Sequence, residues 1–435
     1  MTMSPELVLA LSFSLFLLLL VGGMAVPFAI AVPGVVYLYL LGGAPMLRGL
    51  GFVAWGSMNS FMLTAIPIFV LMAEIIQHSG LGIRIYRGLG RLVSRLPGGL
   101  LQTNIAGCAL FAAISGSSVA TAASIGGVAL PELARRRYDP VLSVGSLAAG
   151  GTLGILIPPS IIMIIYASFT ETSVAKLFMA GVVPGVLLTA MFMGYIALRS
   201  RIGPSIQGGV AEHDDISIRA ALVEIAPVTV LILATLGSIY LGLATPTEAA
   251  AGGCVIALIL AWTVGDLPWS RFVECLQRTV RVVGNILFII AAAYIYAYAI
   301  SMGRVGESLT AWLVSLDLSK FEFYIALFVL YTVLGCLVES AGMIVITVPL
   351  LYPVLQQYGI DLIWFGIVLV LYIEMALISP PIGINLFVIQ SIWKGSFRDV
   401  VVGTIPFHLL MIVLLILLTL FPEIALWLPS QMLGE

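Results

Sequence analysis

Two proline pairs interrupt this chain inside its most apolar runs, and they stand in matching places. The first lies in Gly154-Ile155-Leu156-Ile157-Pro158-Pro159-Ser160, the second in Ala376-Leu377-Ile378-Ser379-Pro380-Pro381-Ile382. Each pair removes two backbone donors, so a helix that reaches it must stop or kink. Pro380 falls 222 residues after Pro158. Broken apolar segments at corresponding points of two halves are the best sequence pointer to a membrane transporter's binding region.

The rest of the chain fits that setting. Its residues are 61% hydrophobic and 9% charged, against roughly 25% charged in soluble domains. Many runs approach the ~20 apolar residues a spanning helix needs. Barrel strands would be about 10 residues long and alternating, so the expectation is an all-α polytopic membrane protein. Cys108, Cys254, Cys275 and Cys336 show no metal or redox spacing, and His78, His213 and His408 are far apart. No phosphate-binding GxxxxGK[ST] loop, HExxH or GxSxG occurs. A nucleotide-driven pump and the common hydrolases are thereby disfavoured, and no catalytic pair supports an intramembrane enzyme. The first residues, Met1 to Glu6, lack a basic signal-peptide region, so Leu7 to Val21 reads as a retained first span.

The offset of 222 extends beyond the breaks. It carries Pro131 to Pro353, Asp139 to Asp361, Gly181 to Gly403 and Pro184 to Pro406, and four of the six prolines from Pro97 to Pro184 land on proline. This is an internal duplication. The loop Pro131-Glu-Leu-Ala-Arg-Arg-Arg-Tyr-Asp-Pro140 is basic, whereas its counterpart from Pro353 to Asp361 has no Lys or Arg. Basic loops stay cytoplasmic, so the two loops are expected on opposite sides and the repeats are expected to be inverted.

An odd number of crossings per half satisfies that condition, and five fits. Expected spans are 6–22, 25–42, 58–77, 141–169 and 174–198, with a re-entrant hairpin at about 98–131. The second half gives 220–241, 245–264, 282–301, 361–393 and 398–428, with a hairpin at about 322–353. The repeats occupy 1–210 and 219–435, joined by a cytoplasmic linker at 211–218 within the polar stretch that carries Glu212, Asp214 and Asp215. With both termini outside, 15 basic residues fall inside and four outside. Ile83 to Leu96 places Arg84, Arg87, Arg91 and Arg95 on one helical face, the pattern of an interfacial helix with its arginines among head groups.

Irregular backbone at membrane depth survives only where it is buried in protein or faces water. The turns before the prolines, Gly154 to Ile157 and Ala376 to Ser379, are expected to present free carbonyl oxygens, which suit a hard cation such as Na⁺, with the Ser379 hydroxyl as an added ligand. The hairpin tips are read at Ile114-Ser115-Gly116-Ser117-Ser118 and Val338-Glu339-Ser340-Ala341-Gly342. Half-helix starts there would attract carboxylate groups. Glu339 is an ionisable group in an apolar setting, which usually marks function. Glu74 and Glu248 lie near span ends and suit interface roles, whereas Glu374 is deeper, one turn before Ser379.

With these segments in hand, Phe111 to Gly126, Gly151-Thr-Leu-Gly-Ile-Leu-Ile-Pro-Pro-Ser160 and Ile378-Ser-Pro-Pro-Ile-Gly-Ile-Asn385 resemble the large membrane subunit of tripartite ATP-independent periplasmic (TRAP) transporters. The resemblance covers essentially the whole chain. It implies Na⁺-coupled symport of an organic acid in the bacterial inner membrane, by an elevator motion of a transport domain against a scaffold. It also implies two partners, a small membrane subunit and a periplasmic substrate-binding protein, and Na⁺ as the co-transported ion with no organic cofactor. Carried over residue by residue, one Na⁺ site would use Ser115, Ser118, Gly154, Ile157 and Pro159. The other would use Leu337, Ser340, Ala376, Ser379 and Pro381, and substrate would lie between the tips near Ser117 and Glu339. Some relatives have glycine or threonine at the second tip. A stand-alone Na⁺- or H⁺-coupled anion transporter of the same architecture is the alternative.

Overall fold

The computed structural model describes residues 5–93, 95–202 and 217–431. Among them every regular element is helical. The polar linker, including Glu212, Asp214 and Asp215, lies outside the described residues except for its last two positions.

In the first half the helices are α1 (Pro5–Val21), α2 (Val26–Gly42), α3 (Leu50–Met58), α4 (Ala65–His78, preceded by a 3₁₀ turn), α5 (Leu81–Val93), α6 (Leu100–Ser115), α7 (Ser118–Arg135), α8 (Pro140–Leu156), α9 (Ile161–Thr170) and α10 (Val174–Ile202). In the second half they are α11 (Ile218–Tyr240), α12 (Pro246–Thr263), α13 (Trp269–Met302), α14 (Val305–Ser315), α15 (Lys320–Leu334), α16 (Ser340–Gln357), α17 (Leu362–Leu377), α18 (Ile384–Ile392), α19 (Phe397–Leu420) and the short α20 (Glu423–Leu426). Among the described residues seven helices are long and apolar enough to cross a membrane alone, and the bent pair α8–α9 makes an eighth. The others read as spans, α1, α2 and α17, are apolar but shorter, at 17, 17 and 16 residues.

Local sequence sets the boundaries. Asp139 caps α8 by accepting from the Leu142 N–H at 2.8 Å, with Pro140 opening the helix. Asp361 does the same for α17, accepting from Ile363 and Trp364. The proline pairs then stop both helices. The two Pro-Pro bonds are cis. Helices α12 and α15 open with full capping boxes, Thr245 with Glu248 and Ser319 with Glu322.

The centre of the protein is α8 and α17. Every residue of α8 from Leu142 to Leu156 is buried, as is every residue of α17 from Trp364 to Leu377. Around them the contacts come in exchanged pairs. α2 packs on α13 and α12 on α4; α8 packs on α19 and α17 on α10; α7 packs on α18 and α16 on α9. Outer helices keep large apolar side chains exposed, such as Phe52 and Trp55 on α3 and Val230 and Leu233 on α11, as a lipid-facing surface does.

Three expectations change here. The span placed at 282–301 is the second part of a helix that begins at Trp269, because no proline or glycine turn separates its polar first turns from its apolar remainder. The last span stops at Leu420, where Pro422 follows, rather than at 428. Arg84 does not sit among head groups. It reaches inward from α5, with Nε donating to Glu224 at 2.6 Å and its guanidinium to the Val264 carbonyl at 2.7 Å. α5 is also buried at Leu81, Ile85, Tyr86 and Gly88, against α6 and α11, and Gly88, one turn after Arg84, meets α11 at Ile225 and Glu224. This helix is therefore wedged into the protein, not merely laid on its surface.

Candidate site at the paired helix breaks

The first hairpin, α6–α7, turns at Gly116, whose φ of 58° lies in the left-handed region that glycine adopts without strain. Its tip is held by its own hydroxyls. Ser115 Oγ and Thr121 Oγ1 are 2.7 Å apart, and Thr121 donates to the Ser117 carbonyl at 2.8 Å. Ser117 caps α7 by accepting from the Ala120 N–H. Ser115 and Ser118 are both buried.

This tip is seated on the first break. A carbon added to Gly154 would lie 2.5 Å from the Ser117 carbonyl oxygen and 2.6 Å from Thr121 Oγ1. A carbon added to Gly116 would lie 2.8 Å from the Pro159 oxygen. Backbone therefore meets backbone on both sides of the contact. The positions four residues beyond Gly154 and Ile155 are the two prolines, so their carbonyls have no helical donor. Ser115 and Gly154 are thus brought together at the Ser117 carbonyl, with the Pro159 oxygen against Gly116 beside it. Ser118 points elsewhere: its hydroxyl donates to Asn385 Oδ1 at 2.8 Å, at the start of α18, and Asn385 donates to the Ala148 carbonyl at 3.3 Å.

The second hairpin, α15–α16, approaches the second break in the same way. A carbon on Gly335 would collide with the Ala376 side chain, and Cys336 Sγ lies 3.9 Å from the Pro380 oxygen. Its surroundings are more open. Ser379 and Ala376 are buried, but Leu337, Pro380 and Pro381 are exposed. Two details correct the expectation of free carbonyls and a free hydroxyl. The Ala376 carbonyl accepts from the Ser379 N–H at 3.2 Å, and the Ser379 hydroxyl donates back to the Met375 carbonyl at 2.8 Å. A tight last turn recovers bonds that the prolines deny, leaving the lone pairs of these oxygens rather than wholly unbonded groups.

Glu339 takes the N-cap position of α16 without capping it, and its side chain lies beside Asn285 of α13. Offset by 222 residues, Ser117 and Glu339 are equivalents, each at the N-terminus of a hairpin's second helix. Glu248 has a structural task, accepting from both the Thr245 N–H and hydroxyl at 2.8 Å. Glu74 lies 3.4 Å from His78. Thr121 and Asn385 are the tip and cross-half partners that sequence reasoning assigned no role. Asn385 sits in the quoted Pro-Pro-Ile-Gly-Ile-Asn segment, and that placement just past the break was its only signal.

Residues 13–424 match the model of the family described as the DctM component of the tripartite ATP-independent periplasmic transporter. The chain belongs to this family. It is 34% identical to the C4-dicarboxylate TRAP transporter large permease protein DctM of Pseudomonas aeruginosa, covering 90% of this chain and 91% of that one. It is 28% identical to the sialic acid TRAP transporter large permease protein SiaM of Vibrio cholerae, over 96% and 97% of the two chains. Against the isethionate permease DctMQ of Oleidesulfovibrio alaskensis it is 29% identical over 95% of its own length and 65% of that protein's. Among solved structures, the YdaH transporter of Alcanivorax borkumensis superposes with a TM-score of 0.63 at 15% identity, over 97% of this chain and all of that one. That likeness concerns the fold. The family makes this chain a multi-pass transport permease and not an enzyme; large permeases of the family work in substrate uptake with a binding protein and a small membrane subunit.

Proposed function

We propose that this chain is the Na⁺-coupled permease of a three-component uptake system for an organic carboxylate in the bacterial inner membrane. The observation that carries the reading is the seating of each hairpin tip on the break of the helix that follows it. Such a seat gathers carbonyl and hydroxyl oxygens, and oxygen-rich, partly desolvated cages suit a hard monovalent ion. In this reading Na⁺ is cargo. Ser115, Ser118, Gly154, Ile157 and Pro159 belong to the first site, with Ser118 acting through its bond to Asn385. Leu337, Ser340, Ala376, Ser379 and Pro381 belong to the second. The substrate carboxylate lies between the tips near Ser117 and Glu339, where the N-termini of α7 and α16 offer N–H groups and partial positive charge.

The exchanged packing pairs support two inverted repeats whose hairpins and broken helices form one moving body. The outer helices α1–α4 and α11–α13 form the scaffold, and an elevator motion carries the sites across the membrane. Ion binding stiffens each tip against its break and so completes the substrate site, which is the coupling the transporter needs.

The test is uptake in proteoliposomes containing this chain, its small subunit and its ligand-loaded binding protein. Ser115→Ala and Ser379→Ala should each raise the Na⁺ concentration for half-maximal uptake about tenfold, the effect of losing about 1.4 kcal/mol of ion binding. Unchanged Na⁺ activation in both variants would sink the assigned sites.

A further inference from the structure

Glu374 is fully buried in α17, and neither of its carboxylate oxygens has a hydrogen-bond partner among the described residues. The hydroxyl of Ser160, at the start of α9, is likewise buried and unpartnered. Two orphaned oxygen-bearing side chains in a region packed this tightly call for an explanation. A bare carboxylate at such depth carries a heavy desolvation cost unless something neutralises it.

Their placement brings them to one side of the protein. At about 100° per residue, Glu374 lies roughly 80° around α17 from Gly366 and about 200° from Tyr372 and Ala376. Gly366 faces the ring of Tyr166 and Leu177, on α9 and α10. Ala376 faces Gly335 at the second hairpin, and Tyr372 stacks on Tyr331 of α15. Glu374 therefore turns away from the second candidate site and towards α9 and α10. The Tyr166 hydroxyl donates to the Leu362 carbonyl at 2.6 Å, so the later part of α9 meets the beginning of α17. Going back along α9 from Tyr166 to Ser160 covers about 9 Å, and going forward along α17 from Gly366 to Glu374 about 12 Å. Both paths lead inward to the first break, where Gly181 of α10 closes on the Leu156 carbonyl and the Pro158 ring.

We propose that Glu374 and Ser160 hold a further monovalent cation, Na⁺ in the working transporter, at the junction of α17 with the start of α9. This rests on the Na⁺-coupled reading above and adds to it a site that carries a formal negative charge. The position equivalent to Glu374 in the first half is Thr152, whose hydroxyl is satisfied by the Ala149 carbonyl at 2.7 Å. The first half thus has no counterpart, and the duplication is broken at this point. A cation here would bind α17 of one half to α9 of the other and tie the state of one break to that of its partner.

The experiment counts bound ions without transport. The detergent-purified complex of this chain with its small subunit is titrated with ²²Na⁺, comparing the native chain with Glu374→Gln, Glu374→Asp and Ser160→Ala. Glu374→Gln should bind one Na⁺ fewer per chain at saturation. Glu374→Asp should keep the full number, and Ser160→Ala should bind the last ion about tenfold more weakly. Size-exclusion profiles identify any variant that fails to fold, and the two milder variants carry the test in that case. If Glu374→Gln and Ser160→Ala bind as many ions as the native chain with unchanged affinity, the carboxylate is not a cation ligand and the inference is overturned. If the native chain binds no Na⁺, the Na⁺-coupled reading itself fails.

Discussion

Ser118 Oγ donates to Asn385 Oδ1 at 2.8 Å, across 267 residues of sequence, and so fastens the first hairpin to the helix that follows the second break. Asn385 passes the connection on to the Ala148 carbonyl in the middle of α8. One buried side chain therefore touches the hairpin and the broken helix of one half from the other half. Removing it as Asn385→Ala leaves a hydroxyl and a carbonyl buried without their partner, at a cost of about 1–3 kcal/mol. The thermal midpoint of the purified chain should fall by a few degrees, and Ser118→Ala combined with Asn385→Ala should cost less than the sum of the two. Strict additivity would show that the bond does not couple the halves.

Gly154 is the contact point of the first tip and the first break. An alanine carbon there would press against the Ser117 carbonyl and Thr121 Oγ1, and overpacking of this kind costs about 1–3 kcal/mol. Gly154→Ala should therefore loosen the seat and weaken Na⁺ activation of uptake by about tenfold or more. Gly127→Ala, on the same hairpin with nothing within 4 Å of the added carbon, should leave it unchanged.

Gly145 and Gly403 let α8 and α19 cross with their backbones in contact, since a carbon on either would collide with main-chain oxygen of the other helix. Gly145→Ala should lower stability by about 3 kcal/mol or more, because backbone cannot move aside as a side chain can. Differential scanning fluorimetry of the purified chain reads this directly, and an unshifted midpoint would contradict the crossing.

Beyond the first hairpin, Glu132 accepts from Arg135 at 2.8 and 3.0 Å and pairs with Arg136. The hydrogen bond from Arg135, followed by that from Arg136, holds its carboxyl below the usual value of 4.5. A depressed folded-state value means that the stabilisation is present above the ordinary carboxylate range and is lost as pH falls through the folded-state value. Arg135 is exposed, so the contribution is about 1 kcal/mol or less at neutral pH. The midpoint difference between the native chain and Glu132→Gln should be present at pH 7 and vanish in acid, below the folded-state value. A difference that grows on acidification has the wrong sign for this pairing.

Much of this arrangement was readable in the sequence because prolines and small hydroxyl residues punctuate it. Hairpins expected at 98–131 and 322–353 run as α6–α7 and α15–α16, and the breaks fall at the proline pairs. Asp139 and Asp361, found through the repeat, proved to be matching helix caps. The short helices were harder. α3 and α14 are short and mix apolar with small residues, so no spanning run announces them. The inward turn of Arg84 depends on Glu224, which only the fold brings near. The tip's bonds through Thr121 and Asn385 are likewise contacts in space, and periodicity carries no record of them.

The central claim is that Na⁺ occupies the seats between tips and breaks. It is tested most directly by uptake into proteoliposomes holding this chain and its small subunit, driven by the ligand-loaded binding protein, under an inward gradient of either Na⁺ or K⁺. Accumulation with Na⁺ alone, with the half-activating concentration raised in Ser115→Ala and Ser379→Ala, is the expected result. Equal accumulation under K⁺, or Na⁺ activation unchanged in both variants, would contradict it.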